Sequence, residues 1–123
     1  MVVFPLLMII QMLNDRFKEV IKKHALHVFP QECCGLICER NGALFILPCP
    51  NIHKFKTYFF KIDTILFNNI KKSFNIKCIY HSHGMGNEKL SQEDIELSFN
   101  FRVSVLCYSV LTDEFSFFDP QRV

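Results

Sequence analysis

The chain has 123 residues, half of them apolar, with 14 phenylalanines, no tryptophan, and a net charge of +2 from 14 basic and 12 acidic residues. This describes one domain with one core, too apolar for a disordered segment. It is also too evenly charged, and too free of basic runs, for a nucleic-acid binder.

The opening run, MVVFPLLMIIQML (1–13), is shorter than the roughly 20 residues a membrane-spanning helix needs. It lacks the basic start and small-residue cleavage site of a signal peptide. Pro5 argues against one continuous helix. The run reads as an N-terminal strand or a core-covering arm. With no leader or span, the chain reads as cytoplasmic.

Residues 14–28 read as an amphipathic helix, with Phe17, Val20, Ile21, Ala25 and Val28 at i, i+3, i+4 spacing. Asn14 is its N-cap and Pro30 ends it. His24 and His27 read as surface or boundary histidines. CCGLICERNGALFIL then predicts a hairpin, with strands at 33–38 and 43–47 around Asn41-Gly42. PCPNI (48–52) is a loop, His53 is read as exposed, and TYFF (57–60) as a further short strand. Lys54, Lys56 and Lys61 interleave with Phe55, Phe59 and Phe60, a pattern that fits a peptide groove or a half-buried strand. Asp63 caps a second amphipathic helix carrying Leu66, Phe67, Ile70 and Phe74. A short buried strand, 76–80, delivers His81 and His83 at its end. Ser91 opens a helix at 92–98, and a last hairpin turns at Thr112-Asp113. The expected fold is α+β (mixed α/β), one sheet with helices packed against it.

Cys33, Cys34, Cys38, Cys49, Cys78 and Cys107 contain no CxxC pair of the zinc-ribbon kind. They read mostly as small buried apolar residues in a reducing compartment. Cys78 as a zinc ligand would upset a count of two histidines and one carboxylate.

HSHGMGNEKLSQED, residues 81–94, carries the chemistry. Strand residues i and i+2 point to one side, so His81 and His83 offer two imidazoles to one ion. Asp94 is far enough along for the loop to return a carboxylate. Two imidazoles and a carboxylate make a three-ligand zinc site with a fourth position left open. Ser91-Gln92-Glu93-Asp94 also has the form of a helix capping box, and a capped helix would hold Asp94 rigidly, so the two readings agree. Chance places H-x-H-x7-S-x-x-D in roughly 0.0004 of shuffled chains of this composition.

The segment resembles the JAMM motif of the MPN/JAB metalloprotease family, and FPQECCGLI resembles that family's segment around a distant glutamate. The resemblance spans about residues 14–120. It implies an MPN/JAB-like (cytidine-deaminase-like) fold, Zn2+ held by His81, His83 and Asp94, Glu32 as general base, and Ser91 stabilising the oxyanion. It further implies a peptide or protein substrate, cleaved at a peptide or isopeptide bond, often in ubiquitin-like tails. ECCGLI, PCPNI, TYFFKID and YHSH look most like the MPN domain of bacteriophage tail-assembly proteins. There a cysteine-peptidase domain often follows; this chain, ending at Val123, would be a split or stand-alone form, and its setting would include the virion. A non-catalytic MPN scaffold in tail assembly, and a purely structural zinc domain closed by a fourth protein ligand, are the alternatives. One departure is Gly84, where the family usually has proline. With Gly86 nearby, it predicts a looser metal loop.

Overall fold

The computed structural model describes residues 6–122. Five strands form one sheet in the order β2-β1-β3-β4-β5: β1 (Cys34–Arg40), β2 (Ala43–Cys49), β3 (Asn75–His83), β4 (Ser104–Ser109) and β5 (Glu114–Phe118). Among the described residues only β3 and β4 pair in parallel. The crossover between them runs through a helix, as a parallel connection requires.

Helices cover both faces. On the first face lie α1 (Leu6–Met12) and α2 (Asp15–Val28). Ile9, Met12, Ile21 and Ala25 pack there against Cys33, Ile37, Cys78, Tyr80, Leu106 and Tyr108. On the second face lie α3 (Thr64–Ser73) and α4 (Gln92–Phe101). Phe67 packs there with Cys34, Leu36, Cys38, Ile79 and Val103. The two-residue period of the strands divides the cysteines: adjacent Cys33 and Cys34 join opposite cores. All six cysteines are free and buried.

Local chemistry sets the element boundaries. Asn14 caps α2 by accepting the Phe17 N–H at 2.9 Å. Asp63 caps α3 by accepting from the Leu66 N–H. Asn41 (φ 53°) and Gly42 (φ 82°) turn the first hairpin with the positive φ values of a type I′ turn. Asp113 (φ 55°) belongs to the turn of the last one. His24 is a boundary histidine, half-buried, with Nδ1 2.8 Å from the Tyr80 hydroxyl; burial and nearby His27 hold its pKa below the ordinary value.

Several expectations change. The apolar N-terminal run is not a strand: from Leu6 it is a helix whose Ile9 and Met12, three residues apart, are buried while Leu6, Leu7 and Ile10 are exposed. The core-covering part of that reading holds, and residues 1–5, Pro5 included, lie outside the described residues. TYFF is also not a strand. Its backbone turns locally, with the Tyr58 and Phe59 N–H groups both bonded to the Phe55 carbonyl, so no ladder forms. His53 is half-buried rather than exposed, its Nδ1 accepting the Phe55 N–H at 2.8 Å and its ring 5.1 Å from that of Phe59. Among the described residues no helix is long and apolar enough to cross a membrane.

Gly35 lies opposite Tyr80 in the β1–β3 ladder, and a Cβ there would sit 2.3 Å from the Tyr80 ring. Tyr80 is fully buried and cannot move aside. Gly35→Ala should therefore cost about 1–3 kcal/mol, read as a lowered urea midpoint with unchanged slope. An unshifted midpoint would contradict this packing.

Candidate metal centre

The C-terminal end of β3 carries His81 and His83 onto the second face of the sheet. Asp94 comes from the first turn of α4, where Ser91 completes a capping box. Ser91 Oγ accepts the Asp94 N–H at 3.1 Å, and Asp94 Oδ2 accepts the Ser91 N–H at 2.9 Å. This reciprocal pair fixes the carboxylate's backbone and one of its oxygens. Glu32 arrives from the segment before β1. It is 5 % exposed, and its N–H is bonded to the Lys56 carbonyl at 2.8 Å.

These groups converge. His81 Nε2 lies 3.0 Å from Asp94 Oδ1, His81 Nδ1 lies 3.4 Å from Glu32 Oε1, and His83 Nε2 lies 3.8 Å from Asp94 Oδ2. Phe60 stacks on the His81 ring at 4.5 Å. Glu32, His81, His83, Ser91 and Asp94 all line one open cleft of about 850 Å³. The five residues singled out in the sequence are thus brought together. Of the interleaved aromatic and lysine run, Phe59, Phe60 and Lys61 line the same cleft.

Two observations bear on whether a cation fits. His81 is 1 % exposed, yet neither ring nitrogen makes a hydrogen bond among the described residues. The carboxylates approach it closely without the alignment a hydrogen bond needs. Buried polar atoms left in this way are costly; a cation between the rings and the Asp94 carboxylate would take the Nε2 lone pair and leave an Nδ1–H directed at Glu32. His83 Nδ1 lies 2.6 Å from the Asn87 carbonyl, which can only accept. The ring proton is therefore on Nδ1 and the Nε2 lone pair faces Asp94, the orientation a ligating imidazole needs.

The electrostatics agree. Burial alone would lower the His81 pKa, but the Asp94 and Glu32 carboxylates outweigh it and raise it to about 9. Burial would likewise raise Asp94, yet His81 and the bonds from Ser91 hold it below the usual carboxylate range. In the metal-free site a proton on the imidazole stands where positive charge is wanted.

The structure adds a residue the motif omits. Cys107 pairs with His81 across the parallel β3–β4 ladder. A ring nitrogen from each of His81 and His83 and the Cys107 Sγ all lie within 4.8 Å of one another. Cys107 is fully buried; burial first, then the Asp94 and Glu32 charges, push its thiol pKa up. These three side chains form a group able to hold a metal ion.

The metal loop is better held than two glycines suggest. Gly84 is buried against the Pro30 carbonyl, which an added Cβ would approach to 2.2 Å, so close backbone packing leaves no room for the family's proline. Beyond it, the Ser109 hydroxyl donates to the Gly86 carbonyl at 2.6 Å, Thr112 Oγ1 donates to the Glu88 carboxylate at 2.7 Å, and the Ser116 hydroxyl donates to the Glu88 carbonyl.

Residues 15–118 match the family described as prokaryotic homologs of the JAB domain. The chain belongs to that family. Its sheet and flanking helices are those of a JAB/MPN-like fold. The solution structure of protein DSY2949 from Desulfitobacterium hafniense is similar in fold, with a TM-score of 0.64 and 22% identity over 85% of this chain and 78% of that one. A solution structure of a protein from Salinibacter ruber has a TM-score of 0.56 and 16% identity over 86% of this chain and 79% of that one. At these identities the likeness concerns the fold alone. No curated protein matches the sequence.

Proposed function

We propose that this JAB domain is a zinc-dependent peptidase or isopeptidase, with His81, His83 and Asp94 as ligands. One observation carries the reading: Nε2 of buried His81 and Nε2 of His83 lie 3.0 and 3.8 Å from the two oxygens of the Asp94 carboxylate, in a cleft that Glu32 and Ser91 also line. A divalent ion held there supplies Lewis acidity, polarising a carbonyl and making water nucleophilic near neutral pH.

The chain's own residues do the rest. Glu32, a carboxylate outside the ligand set, takes the proton from the attacking water and passes it to the leaving amine. Ser91 Oγ accepts the Asp94 N–H, which leaves its own proton free to meet the oxyanion. Phe59, Phe60, Phe67, Leu97 and Phe101 line the same cleft and offer apolar surface to a substrate. The substrate is a peptide or protein segment presenting apolar side chains to this cleft; a ubiquitin-like tail, a phage tail-protein precursor and a cell-wall peptide remain the candidates.

Cys107 favours a second reading, in which its thiolate closes the ion's fourth position and the domain is a non-catalytic metal-holding scaffold. Cobalt substitution separates the two. The open site predicts a Co2+ spectrum without sulfur-to-metal charge transfer, and a Cys107→Ser variant that keeps both its metal and its peptide hydrolysis. A near-ultraviolet charge-transfer band that disappears in Cys107→Ser, with wild type inert on a peptide library, would refute the peptidase reading in favour of the scaffold.

A further inference from the structure

Asn51 lies outside the motif, yet its side-chain amide is fully committed. Nδ2 donates to the carbonyls of Glu32 at 2.9 Å and Phe59 at 3.0 Å. Oδ1 accepts the N–H groups of His53 at 3.0 Å and Lys61 at 3.1 Å. The Ile52 N–H bonded to the Lys61 carbonyl at 2.9 Å completes the neck of a loop spanning 51–61. Two donors and two accepting lone pairs in one short planar group are the property of an asparagine side chain. Aspartate keeps the acceptors but turns its other oxygen against two carbonyls, and glutamine reaches one methylene too far.

The loop touches the site twice. Both backbone polar groups of Glu32 are held by it, the N–H by the Lys56 carbonyl at 2.8 Å and the C=O by Asn51. The loop also carries Phe60, adjacent to the bonded Phe59, onto the face of His81. One amide therefore holds the backbone of the proton acceptor directly and reaches Phe60 only by way of its neighbour Phe59.

We propose that Asn51 is a positioning residue for the reaction, acting through Glu32 without touching metal or substrate; the kinetic part of this rests on the peptidase reading above. Residues that orient a site's working groups typically contribute 10–100-fold, and a 1 Å misplacement of a reacting group can cost about 10²-fold.

The test uses zinc-loaded protein with Asn51→Ala, which removes all four side-chain bonds, and Asn51→Ser wherever the alanine variant does not fold. Amide hydrogen exchange is measured first and needs no substrate. The expected result is at least about tenfold faster exchange at Glu32 and Lys61, with β3 and β4 amides unchanged. Wild-type rates at Glu32 and Lys61, or an equal rise at every amide, would overturn the assignment. Kinetics follow at saturating zinc, with kcat expected to fall about 10–100-fold while KM holds. In a Glu32→Gln background the Asn51 change should add nothing, because its effect passes through Glu32; a multiplicative loss there would also overturn it. Should the wild type hydrolyse no peptide, the peptidase reading fails, and exchange alone decides whether Asn51 positions Glu32.

Discussion

Glu32→Gln is expected to keep the metal and lose hydrolysis by about 10²–10⁴-fold, the range general acid–base catalysis supplies. Glu32 Oε1 faces His81 Nδ1 at 3.4 Å. When His81 binds a cation through its other nitrogen, Nδ1 carries a proton that needs an acceptor. A glutamine carbonyl can still accept it, so the imidazole keeps its orientation. The amide has no basicity, so the proton of the attacking water has nowhere to go. Glu32→Ala removes both functions and should also weaken metal binding about 10–100-fold. Metal content by mass spectrometry and peptide turnover on the same samples check both variants. Undiminished turnover by Glu32→Gln would remove Glu32 from the mechanism.

The second large effect is a pH dependence of the metal-free protein. A free histidine titrates near 6.5, whereas His81 in the folded chain does so at about 9. Burial pulls it down, and the Asp94 and Glu32 carboxylates more than reverse that. The folded state thus binds this proton more tightly than the unfolded state does. The associated stabilisation is fully present below about pH 6.5 and is lost as the pH rises through 9. Its size is on the order of 3 kcal/mol. Denaturant unfolding in chelator should show the stability advantage of wild type over His81→Gln shrinking by about that amount between pH 6 and pH 9.5. An advantage that does not change with pH would mean His81 is neutral between the carboxylates. Zinc must displace the same proton, so apparent affinity should rise about tenfold per pH unit over this window and vanish in His81→Ala.

Most of the fold was legible because its signals are short-range. Asn14 and Asp63 cap helices by bonds three residues long. Asn41-Gly42 turns a hairpin because the pair tolerates positive φ. TYFF misled because consecutive aromatics favour a strand only where a neighbouring strand lies alongside, and there the Phe55 carbonyl takes the N–H groups of Tyr58 and Phe59 instead. The N-terminal run misled because Ile9 and Met12 fit a helix stripe as readily as a covering strand.

The sequence alone determined the part of the site built by local geometry. The strand's two-residue period aims His81 and His83 the same way, and the capping box ties Asp94 to Ser91 within one helical turn. Glu32 was legible only through family resemblance. Cys107 became visible only once β4 lay parallel to β3 and set it beside His81. Asn51 became visible only once the 51–61 loop closed on the Glu32 carbonyl. Periods and caps act over a few residues and leave their mark in spacing. Cross-strand register and loop closure join segments tens of residues apart, and it is packing of the whole sheet that selects them.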